Sequence, residues 1–361
     1  MADSVHTQTQ ERYIKHLQAF RGFAIINIVA IHCWGNVIHF TGLNPWSPSD
    51  NYVDALNEVI FHDSTLYFTL ISGLLFSVIQ TGRSWTNFFQ RKLSNVVVPY
   101  LVITILFSLF FQRFGLFDTD RLLSGRVMEF TDRLVSNVLH GSAMYHLWYI
   151  PVLALLFLAT PFIVLMLKSP KTRWLIIPLI LAPLISPRAW PEFSWNTVIY
   201  FLGAYSAGIY LGQDYHQKLR QIAAWTIPLS AAVAITTAIL IYAYITETGR
   251  VAGLPFRETL FYIQKMCFAL LVLLVLKAKE ASLPRWLDPL ATYALTIYFL
   301  HAAVLIALIS AFNALAVPAP SALGTVALGS LFLIIAIGVS LGIGIAVKRL
   351  TGKGSRFLIG T

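Results

Sequence analysis

Charge is scarce in this sequence: 12% of its 361 residues are charged and 57% are hydrophobic, where soluble domains run near 25% and roughly 45–50%. A water-soluble fold is excluded. Cysteine is almost missing, and the two present, Cys33 and Cys267, both fall in apolar stretches, which rules out a disulfide framework. Also absent are a Walker A or dinucleotide glycine loop, Cys/His metal-ligand spacing, HExxH and GxSxG. No metal site and no bound cofactor is therefore expected. No pair of carboxylates lies deep in an apolar run, which argues against a glycosidase-like or carboxylate proton-relay mechanism. Internal repeats, low-complexity tracts and a separate soluble domain are missing too.

What is present is a succession of apolar runs of about twenty residues. They predict an all-α polytopic membrane protein with ten spans, near 17–40, 56–80, 93–112, 147–167, 174–187, 195–212, 224–245, 258–277, 289–312 and 325–347. The fifth is short and holds Pro178, Pro183 and Pro187, so it reads as tilted, broken or only partly spanning. When the Lys and Arg outside the spans are laid alternately on two sides, seventeen share a side with both termini and seven lie opposite. By the positive-inside rule the richer side is cytoplasmic. The net charge of +10 is then mainly an orientation signal, and no nucleic acid is expected as a partner. This organisation gives a cytoplasmic tail over 1–16, one membrane domain over 17–348 and a second cytoplasmic tail over 349–361. The first span offers no small-residue cleavage site and is expected to be retained. Segment 113–146 is the longest non-apolar one, carries both charge signs and is predicted to form short helices on the outer face.

Ionisable residues inside the spans are the candidates for function. Arg21 and His32, in "HLQAFRGFAIINIVAIHCWGNVIHF", are eleven residues apart, which places them on one helix face about 16 Å apart along the axis. Arg21 lies near the inner interface, where snorkelling would also accommodate it. His32 lies too deep for that, although a hydrogen bond between helices would also satisfy it. His301 reaches a similar depth in the ninth span. Asp63 enters the second span from the outer side at about the height of His32, either to orient its imidazole, as a carboxylate does in a hydrolase triad, or simply to sit at the wet interface. Ser72 and Gly73 follow, a small pair that equally permits close helix packing. Lys265 lies in the eighth span within snorkelling range of its outer end, and His146 opens the fourth beside aromatic belt residues.

Several segments together resemble the acyltransferase-3 family of integral-membrane acyltransferases. Arg21 and His32 form an R-x10-H pair in the first helix. "FTLISGLLF" is similar to the family's aromatic-rich Ser-Gly segment, and "RKLSNVVVPY" to its basic stretch ending in Pro-Tyr. "HLWYIPVL" matches its HLWY-like start of the fourth helix, and "YFLHAAVL" resembles its Tyr-x-Leu-His segment. Order, spacing and coverage of roughly residues 12 to 348 carry the match, which includes no attached esterase domain.

The resemblance implies a multi-pass enzyme of the bacterial inner (plasma) membrane. It would move an acyl group, commonly acetyl from acetyl-CoA as co-substrate, to a hydroxyl of a surface polysaccharide, lipopolysaccharide or lipid-linked glycan. By motif position Arg21, Arg91 and Lys92 are the donor-phosphate cations, arginine's planar fork suiting phosphate. Asn95 stands where the family often carries a further arginine, which moves that phosphate contact to Lys92 or another loop. His32 would act as general base or carry the acyl group briefly, with Asp63 and His301 as its catalytic companions. Tyr67, Ser72 and Tyr298 offer hydroxyls for an oxyanion, and His146 and Lys265 are further possible substrate contacts. The competing reading is a transporter or flippase whose intramembrane His and Arg form a substrate path, which discontinuous helices would favour.

Overall fold

In hydrocarbon every backbone N–H and C=O must find its partner within the protein, and the chain meets this demand with helices; no strand occurs among the described residues. The computed structural model describes residues 2–40, 48–80, 84–112, 123–186, 188, 193–246, 256–315 and 320–361. In chain order the helices are α1 (Ala2–Phe40), α2 (Pro48–Phe61), α3 (Thr65–Leu75), α4 (Trp85–Lys92), α5 (Val98–Phe107), α6 (Leu123–His140), α7 (Tyr149–Lys168), α8 (Ile176–Leu181), α9 (Trp195–Gly212) and α10 (Tyr215–Ala223). They continue as α11 (Thr226–Ile245), α12 (Phe256–Ala278), α13 (Leu287–Thr292), α14 (Ala294–Ala314), α15 (Ala322–Thr351) and α16 (Ser355–Ile359).

Among the described residues eight stretches are long and apolar enough to cross a membrane: Lys15–Phe40, Tyr52–Ile79, Trp85–Phe111, Tyr149–Lys168, Thr226–Ile245, Phe256–Ala278, Ala294–Ala314 and Ala322–Ile359. Two of the ten expected spans are missing from these. The fifth is the short apolar piece Arg173–Leu184, in which α8 manages only six residues because Pro178 and Pro183 interrupt the helical ladder. The sixth is α9, which carries Asn196, Thr197, Ser206 and three tyrosines. Its Tyr205 hydroxyl meets Thr160 at 2.8 Å and its Tyr200 hydroxyl meets Asp63 at 2.7 Å, so these polar groups are satisfied within the protein. The outer segment also differs from expectation. Its described part forms one 18-residue helix, α6, anchored where the Tyr100 hydroxyl donates to Val138 O at 2.7 Å; Arg113 and Arg121 lie outside the described residues.

Glycine sets the closest helix crossing. A Cβ on Gly73 of α3 would run into the Tyr205 carbonyl, and one on Gly208 of α9 into that of Leu70, so the two backbones touch as small-residue membrane interfaces do. Both ends of the membrane domain meet at one end of the bundle. There His16 of α1, fully buried, bonds through Nδ1 to Glu280 at 3.0 Å and through Nε2 to the Tyr215 hydroxyl at 2.9 Å. Lys277 Nζ donates to the other Glu280 oxygen at 2.7 Å. The 349–361 segment is docked at the same end and is no loose tail: Ile359 is buried and its carbonyl accepts from Thr296 at 3.0 Å.

The second span is broken in two. Helix α2 stops at Phe61, His62–Ser64 turn with Asp63 in the left-handed region (φ 55°), and α3 resumes at Thr65. Such a break exposes the last four carbonyls of α2, and each is met. Glu58 O accepts from His62 N at 2.9 Å, Phe61 O from the Ser64 hydroxyl at 2.6 Å, and Val59 O and Ile60 O from Lys265 Nζ at 3.0 and 2.8 Å. A cation at a helix C-terminus is also favoured by the helix dipole.

Lys265→Met should therefore destabilise the protein by about 1–3 kcal/mol, the cost of leaving buried carbonyls unmet, visible as a lower unfolding temperature in detergent, with Lys265→Arg closer to wild type. A second expectation concerns pH. Burial tends to raise the Glu280 pKa, but the hydrogen bonds from Lys277 and His16 and the charges on both outweigh it and hold the carboxyl below its ordinary 4.5. The Glu280 contribution is thus complete above that value and drains away as pH falls through the lowered pKa. Acid unfolding of the wild type should accordingly begin at a higher stability than that of Glu280→Gln and converge with it at low pH.

Candidate active site

A cavity of about 630 Å³ lies beside the broken span, lined by residues of α1, α2, the His62–Ser64 turn, the loop before α7, Arg188 and α14. It extends from Tyr149 and Tyr298 to His39 and Phe40, and Phe40 is 60% exposed. Its mouth is therefore at the end of α1 opposite His16 and the docked C-terminus.

Three histidines meet at its wall. His32 of α1 stacks on His301 of α14 with ring centroids 5.3 Å apart and an interplanar angle of 26°. His146, in the loop that starts α7, sits edge-on to both, 4.7 Å from His301 and 6.4 Å from His32. His301 and His146 are buried, while His32 is half-buried and lines the cavity. His301 Nδ1 lies 3.0 Å from Ile297 O, which requires a proton on that nitrogen and leaves Nε2 as an acceptor. Neither His301 Nε2 nor either ring nitrogen of His146 has a hydrogen-bond partner. The Tyr298 hydroxyl donates to the His146 carbonyl and fixes the loop. Tyr145 completes the ring of side chains, 5.0 Å from His32.

Asp63 lines the same cavity but does not orient His32. One carboxylate oxygen takes a hydrogen bond from Arg188 and the other from the Tyr200 hydroxyl, so the expected triad-like pairing is taken by other partners. The left-handed turn at Asp63 points its carboxylate at the segment between α8 and α9 that carries Arg188. The Arg188 guanidinium also lies over Trp148, 4.7 Å from the ring centroid. Burial works to lower the Arg188 pKa, and the Asp63 and Glu258 carboxylates more than offset it, so the guanidinium is held charged. Nearby, His62 Nδ1 pairs with Glu58 at 2.6 Å, and the Tyr244 hydroxyl donates to the same Glu58 oxygen at 3.2 Å. His62, Asp63 and Glu258 offer ligand atoms within 4.8 Å of one another. A divalent cation there would have to compete with Arg188 and Tyr200 for both Asp63 oxygens.

The expected donor cations lie elsewhere. Arg21 is half-buried, hydrogen-bonds Gln18 at 3.2 Å and does not line the cavity. Lys92 sits over Phe157, 4.3 Å from its centroid, close enough to Arg21 for mutual repulsion. Neither is paired with a carboxylate among the described residues. Arg91 is exposed. Three other candidates have structural work. Lys265 caps α2. The Ser72 hydroxyl turns back to Phe68 O at 2.7 Å, beside the Gly73 crossing. Tyr67 packs against Phe20 and Phe23 outside the cavity wall.

His32, Asp63, His146 and Tyr298 are thus brought to one cavity, with His301 directly behind. Sequence reasoning missed Arg188, Tyr145 and the Glu58–His62 pair. The one signal for Arg188 was a lone cation in the proline-bracketed "SPRAWP". No significant match is found among curated proteins or solved structures. The acyltransferase domain family model, however, matches residues 14–345, a stretch that contains every residue of the cavity and both internal cations. The chain belongs to the acyltransferase-3 family and is a multi-pass membrane acyltransferase.

Proposed function

We propose that the protein takes an acyl group, acetyl being the expected one, from acyl-CoA and places it on a hydroxyl of a cell-surface or lipid-linked glycan in the bacterial inner membrane. The observation that carries the proposal is the division of one helix wall. Toward the end with the termini lie two neighbouring cations, Arg21 of α1 and Lys92 of α4, neither paired with a carboxylate among the described residues, and His32 of α1 faces a cavity open at the other end. Like charges brought together without a carboxylate call for an anion, and the phosphates of CoA supply it. The positive-inside count supports a cytoplasmic position for that end, where acyl-CoA would be met. Arg21 and His32 are about 16 Å apart along the axis, a length that an extended pantetheine arm covers.

In the reaction His32 takes the proton of the acceptor hydroxyl as the oxygen attacks the thioester carbonyl carbon. The tetrahedral oxyanion collapses, the C–S bond breaks, and the departing thiolate receives the proton from the imidazolium. His301, stacked on His32 with its own tautomer fixed, holds the imidazole in place. Tyr298 and His146 lie within the same ring cluster, where donors to the oxyanion are needed. The broken second span is a geometry that transporters also use, and it favours a substrate path in this cavity. Membership of an acyltransferase family supports the reading that this path ends in bond chemistry.

His32→Ala should lower kcat by about 10²–10⁴-fold, the usual worth of a general base, with insertion and expression unchanged. Labelled acetyl-CoA and mass spectrometry of surface glycans from cells with and without the gene provide the measurement; wild-type acetylation in the variant would sink the mechanism. Arg21→Ala should instead raise KM for acyl-CoA about tenfold with kcat largely kept, since it removes binding shared by ground and transition states.

A further inference from the structure

The cavity wall holds more unsatisfied hydrogen-bonding capacity than one catalytic histidine explains. His146 is 2% exposed and has no hydrogen-bond partner on either ring nitrogen, and His62 Nε2 is buried without a hydrogen bond, its carboxylate neighbours Asp63 and Glu258 standing off at 3.7 and 3.9 Å. Both residues line the cavity. Buried polar atoms without partners are rare and costly, so a ligand or ordered water belongs there. A neutral imidazole presents one donor and one acceptor. Its complement is a hydroxyl, which is also both; a carboxylate or phosphate, with acceptors only, satisfies one of the two nitrogens.

Charge points the same way. The lining contains two carboxylates, Glu58 and Asp63, and one guanidinium, Arg188. Arg188 is already bonded to Asp63 and stacked on Trp148. Glu258 lies just behind, with one oxygen 3.9 Å from His62. A proton on His62 would be held by Glu58 at 2.6 Å and would make the lining neutral, not positive. An anionic group entering here meets no uncommitted cation. The volume of about 630 Å³ falls within the ordinary range of small-ligand sites, roughly 300–1,000 Å³, and the exposed Tyr145 edge beside His32 offers an apolar face to a sugar ring.

We propose that the acceptor unit admitted to this cavity is an uncharged sugar ring, positioned by His146 and guarded by Glu58 against its uronic-acid counterpart. The inference rests on the acyltransferase reading for its chemistry but not for its test. Purified full-length protein in nanodiscs is titrated with methyl glycosides of glucose, galactose and mannose, each paired with the matching methyl uronate, and binding is followed by saturation-transfer NMR. At least one neutral glycoside should bind about tenfold more tightly than its uronate, a ratio of the size that a nearby like charge produces. Glu58→Gln should narrow the ratio to about threefold or less by improving uronate binding, and His146→Phe should abolish neutral binding. His146→Gln, which keeps a donor and an acceptor, should restore part of it, separating hydrogen bonding from packing. Uronates binding as well as neutral glycosides, or no glycoside binding at all, would overturn the proposal. Labelled acetyl-CoA in a parallel assay tells the two readings apart: neutral binding without any transfer sinks the enzymatic mechanism alone, and transfer to uronates sinks the acceptor assignment alone.

Discussion

An interrupted helix inside hydrocarbon leaves its terminal carbonyls without water, and everything at this site depends on how that is resolved. The second span stops and restarts at His62–Ser64, and a lysine from α12 supplies the two hydrogen bonds that the chain itself does not. Because the break is satisfied, Asp63 can occupy the left-handed turn and leave the helix register. An uninterrupted helix would have kept its side chain on the wall of α3. The interruption makes room for a cavity beside α1 and at the same time delivers a carboxylate to it. Lys265 therefore serves the site through the backbone it holds, without lining the cavity.

That carboxylate in turn anchors a cation the helices do not provide. Arg188 reaches the cavity from the segment between α8 and α9, beyond the six-residue α8 and the helical turn Ala182–Leu184. Held by Asp63, stacked on Trp148 and with Tyr200 on the other Asp63 oxygen, it ties α9 and the α7 loop to the break. A buried pair of this kind gains little net stability over apolar packing, and its geometric effect is larger: three separate elements are fixed around the histidine cluster.

How much of this was readable beforehand follows from the physics of each residue. The separation of Arg21 and His32 along one helix was legible because helix geometry fixes it, but that Arg21 lies outside the cavity His32 lines was not, since that depends on the packing of other elements. His301 was legible by depth, since its distance from the start of its span sets its height. The apolar runs carried the membrane class and eight of the ten expected spans, while α9 falls below span hydropathy because Asn196, Thr197, Ser206 and three tyrosines dilute its apolar run. The partner of Asp63 was not legible, since it depends on a turn with positive φ that no local glycine announces. Nor was the role of Lys265, whose partners are main-chain carbonyls and leave no trace in side-chain pattern. Ser72 and Gly73 fell on the packing side of their two readings, which the backbone contact between α3 and α9 decides.

The two ends of the α1 wall differ in how their charges are compensated, and this difference has a direction. Toward the termini, Arg21 and Lys92 repel each other with no carboxylate paired to either among the described residues, an arrangement that a bound anion would relieve. At the cavity, Asp63 balances Arg188 and Glu58 holds His62, so charge there is already settled before any ligand arrives. On the function proposed above, a polyanionic acyl-CoA would gain on one side what it would lose on the other, while a neutral, hydroxyl-rich acceptor would exchange water for imidazoles at little electrostatic cost. On the function proposed above, His32, at the boundary between these regions, would receive the thioester from the anion-seeking end and the alcohol from the neutral one.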